Sequence, residues 1–417
     1  MINFVSARNY YLLGLIALFG FTTEKANCQT PDKDFEEHRS LLKLAIDRGF
    51  ERISKGVDNY PKHRDCFSCH HQAVPLLAYR FKSDDDRVRR IVEFSQKSLS
   101  KEIAGLQAQE ELGGRGMTLG YALWTMAMSQ SDWGELGDQL VKKAVTTQQV
   151  DGRWRIHSIR PPAASSELMA TTLVLLGLSH YLDSRELTTT SIVIRASVEQ
   201  ARYKAMLWKA SQPEPTDTED LCASLWFDYL ARRVPIPTEQ TIGPKELGIF
   251  FDLKHGLNHA QIDTLSRYYG PYSSKLSLKL RKMQNQDGGW GSQPGRESDA
   301  YSTATVLLIL AQVDTEQKYG GFLLREGDVL PWDRKGLEYL LSTQKPDGSW
   351  HVSSRANPVQ EFFDNGDPHE SDQFISMQAT AWAVAALSGA YHNEVWPLNV
   401  EASKIRWPPT GFTPVEP

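Results

Sequence analysis

Three stretches of the chain share one pattern: Gln148-Gln149-Val150-Asp151-Gly152-Arg153-Trp154, Gln284-Asn285-Gln286-Asp287-Gly288-Gly289-Trp290 and Gln344-Lys345-Pro346-Asp347-Gly348-Ser349-Trp350. Each has a Gln, an Asp-Gly turn and a Trp at the same spacing. Each follows a short run of helical periodicity and is followed, after a loop, by a longer apolar run such as 376–387. Self-similarity of this kind marks a helical repeat array. No single repeat can bury its apolar face alone, so the units must stack on one another.

The third copy is the fullest. Lys335 and Gly336, then Tyr339 and Leu340, then Gln344, Gly348 and Trp350 fill a pattern that resembles the QW repeat of the squalene–hopene cyclase and protein prenyltransferase superfamily. The resemblance implies an all-α (α/α)6 toroid of alternating inner and outer helices, with inner-helix N-termini facing a central, largely apolar cavity. It also implies that the Gln and Trp are structural fasteners and not catalytic groups.

Composition agrees with a large apolar core: 11 Trp, 15 Tyr and 16 Phe in 417 residues. A net charge of −5 gives no electrostatic footprint for nucleic acid. Arg8 followed by the apolar run 10–21 reads as a secretory signal peptide over 1–30, too short to span a bilayer, and predicts an exported protein, periplasmic or extracellular. No later run is a transmembrane candidate, so the mature chain is expected to be soluble or peripheral at a membrane. Segments 35–53 and 69–81, 87–103 and 117–128, 136–147 and 167–181, 191–209 and 219–232, 276–283 and 299–312, and 335–342 and 374–387 read as helix pairs. The toroid is expected over 31–395, with an insertion at 235–270 and a Pro-rich tail at 396–417.

Laying the inner helices on one another by their apolar pattern places Ser68, Glu167, Asp299 and Ser376 at equivalent first-turn positions, with His70, Asp220 and Tyr301 also around the cavity mouth. Cyclases of the superfamily start their reaction from an Asp-x-Asp-Asp-Thr-Ala stretch whose middle Asp protonates an alkene or epoxide. The same frame here reads Asp299-Ala300-Tyr301-Ser302-Thr303-Ala304, with Tyr301 in the acid's place. A phenol of ordinary pKa about 10 cannot do that protonation. Asp299, Tyr301 and Glu167 remain the catalytic candidates on this frame, beside the reading of Asp299 and Glu167 as first-turn acids that complement a helix dipole. The zinc set of the prenyltransferases, an Asp, a Cys and a His, has no Cys after Asp299, and Ser376 and Gln378 stand where its His is wanted.

Cys66-Phe67-Ser68-Cys69-His70 adds something to the family pattern. Cys-x-x-Cys-His in an exported chain is the attachment signature of c-type haem, with His70 as axial ligand. A Zn²⁺ site on Cys66, Cys69 and His70 or His71, a redox disulfide, and two thiols packed at a helix end compete with it. Met117, Met169 and Met377 are candidate sixth ligands, each also readable as core. Inner-helix aromatics Tyr121, Trp124, Trp226, Tyr301 and Trp382 are read as cavity lining or interlocked core, and Cys222 as packed apolar. Three functions follow. One is a squalene-cyclase-like ring holding an apolar, isoprenoid ligand, redox-active through haem or metal and served by an electron-transfer partner. Another is a non-catalytic binding or scaffold ring. The third is a polysaccharide lyase or hydrolase working with Glu167 and Asp299.

Overall fold

The structure is a computed structural model that describes residues 33–82, 84–107, 109–129, 133–184, 189–236, 257, 259–269, 275–315, 331–357 and 364–392. The expected leader 1–30, the tail 396–417 and most of the 235–270 insertion lie outside the described residues. Helices run in the order α1 (Lys33–His63), α2 (Val74–Tyr79, entered through a π-helical turn Cys69–Ala73), α3 (Asp85–Ala104), α4 (Arg115–Ser129), α5 (Gly134–Thr147), α6 (Glu167–Ser184) and α7 (Thr189–Ser211). They continue with α8 (Thr218–Ala231), α9 (His259–Tyr269), α10 (Lys275–Lys282), α11 (Ala300–Thr315), α12 (Pro331–Thr343) and α13 (Gln373–His392).

These helices form a closed all-α toroid. Around the inner ring α2 packs on α4, α4 on α6, α6 on α8, α8 on α11, α11 on α13, and α13 returns to α2. α1, α3, α5, α7, α10 and α12 pack on the outside of it. The two classes differ in sequence for a physical reason. α4, α6 and α13 are buried on nearly every side and are correspondingly apolar all round, whereas α3 and α5 bury one stripe and are amphipathic. Among the described residues no helix is long and apolar enough to cross a membrane.

The repeated Gln and Trp are clasps. In all three copies the indole N–H donates to a carbonyl of the preceding outer helix at 2.8 Å: Trp154 to Ala144, Trp290 to Leu280 and Trp350 to Leu340. In all three, the Trp backbone N–H donates to a threonine of the following inner helix, Thr171, Thr303 or Thr380. That threonine lies four residues after Glu167, Asp299 or Ser376, so the frame drawn from the apolar pattern holds in the structure.

The Gln joins one repeat to the next. Gln148 donates to Ala201 of α7, and Gln344 donates to Ala45 of α1, both at 2.8 Å. The last of these clasps shuts the ring, because it ties the final outer helix to the first. Gly348 is required there. Its φ of +85° lies in the left-handed region, and a Cβ would stand 2.2 Å from the Arg48 carbonyl oxygen of α1. Gly348→Ala should therefore loosen ring closure at a cost of roughly 1–3 kcal/mol. A denaturant titration checks it: the midpoint should fall, and an unchanged midpoint would show that the turn does not close the ring.

Candidate functional site

The N-terminal ends of the inner helices open onto a cavity of about 320 Å³. Cys69 and His70 come from the turn before α2, Met117, Thr118 and Tyr121 from α4, and Phe374 and Gln378 from α13. The loop after the first Gly-x-Trp turn closes one side with His157, Arg160, Ala163 and Ala164. Deeper in the ring the axis is filled. Trp124 packs against Tyr121 and Trp226 with ring centroids 5.8 Å apart in each case, and against Trp382 at 6.1 Å, while Trp382 meets Tyr301 at 6.3 Å. Tyr121 is the member of this cluster that reaches the cavity wall, where its hydroxyl accepts a hydrogen bond from Gln378 at 2.9 Å. The other four rings interlock as core.

Four expected site residues, Cys66, Cys69, His70 and Met117, meet at the cavity. Cys66 is exposed at its rim, with its sulfur 3.2 Å from the Tyr60 hydroxyl. Cys69 lines the wall, and burial pushes its thiol up to about 12, so it carries its proton at neutral pH. His70 holds the Ser68 hydroxyl at 2.8 Å and packs on Phe374 at 4.6 Å. Burial, then the neighbouring His71 and Arg160, hold its pKa well below the usual 6.5, so the ring is neutral. Met117 lies in the same wall, whereas Met169 and Met377 are packed in the core.

His71 turns the other way. It is fully buried, stacks on Tyr60 at 4.7 Å and bonds Asp367, which also receives Arg52 at 2.6 Å. Cys66, Cys69 and Cys222 are unpaired thiols. Among the described residues no three His, Cys, Asp or Glu side chains converge as a metal-ligand set.

The frame's acids stand elsewhere. Asp299 caps α11, accepting the Ser302 N–H at 2.7 Å and its hydroxyl at 2.8 Å. Burial pushes it up to about 6, and it lines a separate groove with Arg355. Glu167 faces Arg153 at 3.3 Å, outside the cavity. Tyr301 is buried in the aromatic cluster.

An acid that the frame did not reach is Glu219, in Asp217-Thr218-Glu219-Asp220 at the start of α8. Asp217 caps the helix by accepting the Asp220 N–H at 2.8 Å, and Asp220 is bonded by the Ser166 hydroxyl. Glu219 lies behind the cavity wall. Its Oε2 accepts the N–H of Ser165, the residue after wall residues Ala163 and Ala164, at 3.0 Å, and the Ser165 hydroxyl as well. Its Oε1 is buried with no partner among the described residues. Burial pushes Glu219 up to about 8 against the opposing pull of these Ser165 bonds, so the carboxyl is mostly protonated at neutral pH. Its charge acts on both Tyr121 and Tyr301. The legible signal was the Asp-x-acid-Asp spacing, one inner helix before Asp299 and with Glu as the middle acid.

No family model matches the chain. A segment of 96 residues, 23% of the chain, is 33% identical to drimenyl diphosphate synthase of Streptantibioticus cattleyicolor and spans 15% of that enzyme. A segment of 145 residues, 33% of the chain, is 25% identical to a lanosterol synthase of Aspergillus fumigatus and spans 17% of it. Among solved structures, the type II terpene cyclase MstE from Scytonema, in complex with geranylgeranyl dihydroxybenzoate, aligns over 86% of this chain and 99% of its own at 13% identity and a TM-score of 0.46. A protein from Actinoplanes aligns over 84% and 99% at 13% identity and a TM-score of 0.40. Segments of this all-α toroid are thus similar to terpene cyclases at low identity, and the chain spans less than a fifth of the length of either relative.

The Arg52–Asp367–His71 group fixes the cavity's position, because it joins α1, the turn before α2 and the loop before α13. Asp367→Ala leaves buried Arg52 and His71 without their shared anion, which should cost about 3–5 kcal/mol. Chemical denaturation reads the loss, and a variant as stable as wild type would remove this group from the support of the site.

Proposed function

We propose that this ring cyclises a short isoprenoid by protonation: the cavity takes the apolar chain, and Glu219 gives its proton to a terminal alkene or epoxide. The observation that carries the reading is a buried carboxylic acid, pushed up to about 8, with one oxygen bonded by Ser165 and the other free of partners. Such a group keeps a proton at neutral pH and has a lone oxygen from which to deliver it. A volume of about 320 Å³ suits a small ligand, at the lower end of the usual range of roughly 300–1,000 Å³.

As the proton passes to the alkene carbon, positive charge grows on the substrate and negative charge on the carboxylate. The N–H and O–H of Ser165 receive the second. The ring faces of Tyr121 and the adjoining Trp124 suit the first. A second alkene of the same chain then closes a ring onto the cation, and loss of a proton to water or back to the Glu219 carboxylate ends the reaction as an isomerisation. Segment 163–165 lies between the cavity and Glu219, so it has to shift for the chain to reach the acid.

Conversion of C10 to C20 isoprenoids, followed by mass spectrometry, tests the proposal. Wild type should yield cyclic products of unchanged mass. Glu219→Gln should lower turnover by about 10²–10⁴-fold while retaining ligand binding. Rate should fall as pH rises through about 8, because the protonated form is the active one. Recovery of chemically unaltered lipid from wild type would contradict the proposal and leave a binding ring.

The same proton has a stability signature. The folded state holds it more tightly than an unfolded chain with the ordinary value of 4.5. Its contribution is therefore complete below that value and is lost as pH climbs towards about 8. Glu219→Gln should flatten the decline of the thermal midpoint between about pH 5 and 8, and an identical decline in both proteins would place the proton elsewhere.

A second reading rests on Cys66, Cys69 and His70 sharing the cavity wall. In an exported chain Cys66 and Cys69 would hold a c-type haem through their thiols and His70 would ligate its iron, and haem would supply electron exchange with an external partner. The neutral state of His70 suits a metal-ligating imidazole. Protein from a haem-maturing host should then show a Soret band that survives acid-acetone extraction, and colourless protein removes the reading.

A further inference from the structure

The cavity carries one charge that nothing in the ring answers. Arg160 lies in its wall, its Nε is buried with no hydrogen-bond partner, and its guanidinium makes no ion pair among the described residues. His70 and His157 stand in the same wall, and the lining contains no Asp or Glu. In a chain of net charge −5 this is a local reversal of sign. Several other buried or half-buried arginines are ion-paired: Arg52 with Asp367, Arg87 with Asp58 and Asp84, and Arg202 with Glu199. An unpaired guanidinium beside an apolar pocket is costly unless something anionic completes it. The charge is also felt inside the site, since it lowers the pKa of both Cys69 and His70.

We propose that Arg160 is the head-group site of the cavity, so that the ligand is an isoprenoid bearing an anionic head, a diphosphate or a carboxylate. The assignment rests on the isoprenoid reading above and adds the polarity of the ligand. The guanidinium presents a planar fork of donors that suits phosphate and carboxylate oxygens. Hydroxyls of Thr118, Ser158 and Ser354 stand in the same lining and supply further donors. The apolar chain then runs over Met117 and Phe374 towards Tyr121, which places the head at Arg160 and the tail next to the wall that covers Glu219.

Quenching of tryptophan fluorescence by farnesyl diphosphate, farnesoate and farnesol, in low and high salt, tests the site on the full chain. Wild type should bind at least one of the two anions about tenfold or more tightly than farnesol. Added salt should narrow that gap without changing farnesol binding. Arg160→Gln should erase the preference, and Arg160→Lys should restore part of it. Arg155→Gln, which removes an exposed charge outside the cavity, should leave it intact.

Whichever anion is preferred separates the diphosphate from the carboxylate head. Equal binding of all three ligands by wild type, or a preference that survives Arg160→Gln, overturns the head-group site while leaving the apolar cavity standing. Failure of all three to bind overturns the site together with the isoprenoid reading. These readouts are of binding alone, so they are independent of whether Glu219 turns the ligand over.

Discussion

Everything in this molecule depends on a clasp in which one tryptophan and one glutamine hold three helices. The indole fixes the turn to the helix behind it, its backbone N–H fixes the turn to the threonine of the helix ahead, and the glutamine reaches to the next outer helix. Repeated along a chain, such contacts make a solenoid; only the copy that grips α1 makes a ring. Closure matters for function because it brings residues from opposite ends of the chain to one cavity. Cys69 and His70 come from the first inner helix and Phe374 and Gln378 from the last. Without the final clasp those walls would have no reason to meet.

Closure also explains why the open space lies at the mouth of the ring and not along its axis. Inner helices that are apolar on all sides bring large side chains to the centre, and Trp124, Trp226, Trp382 and Tyr301 interlock there. The remaining volume collects where the inner helices begin. Helix starts need capping groups, and these caps introduce the polar chemistry: Ser68, Ser166, Asp217 and Asp299 each accept an N–H of a first helical turn. Three of these caps are otherwise satisfied local structure. At α8 the cap is followed by Glu219, a carboxyl that solvent does not reach and whose second oxygen has no partner. Burial, with the neighbouring Asp220 and Asp217 carboxylates adding to it, converts that ordinary side chain into a proton store at neutral pH.

The repeat made the ring legible, since spacing of Gln, Gly and Trp survives without any knowledge of contacts. It also set the limit of what could be read. The apolar pattern brings α8 to the cavity mouth through Asp220 but aligns no residue of that helix with the first-turn frame, so it does not single out Glu219, one position earlier. Glu167 was placed at the right position along its helix, but its side chain is drawn outward by Arg153, a neighbour that its position alone does not reveal. Cys66, Cys69 and His70 were legible as a group because they are local, and they do line one wall. His71 was not, because its partner Asp367 lies 296 residues away. Arg160 shares its loop with Arg153 and Arg155, and nothing in the sequence separates it from them; only the closed ring shows it facing an apolar cavity without a counter-charge among the described residues.

The protonation state of Glu219 is the point on which the chemistry turns, and infrared difference spectroscopy observes it without any ligand. Protein equilibrated at neutral pH should show the carbonyl stretch of a protonated carboxylic acid in a dry environment. That band should fade as pH passes about 8 and be missing from Glu219→Gln. A wild-type spectrum with no such band at neutral pH, or one unchanged in the variant, would mean that Glu219 is ionised or ordinary, and the ring would have no acid with which to start a cyclisation.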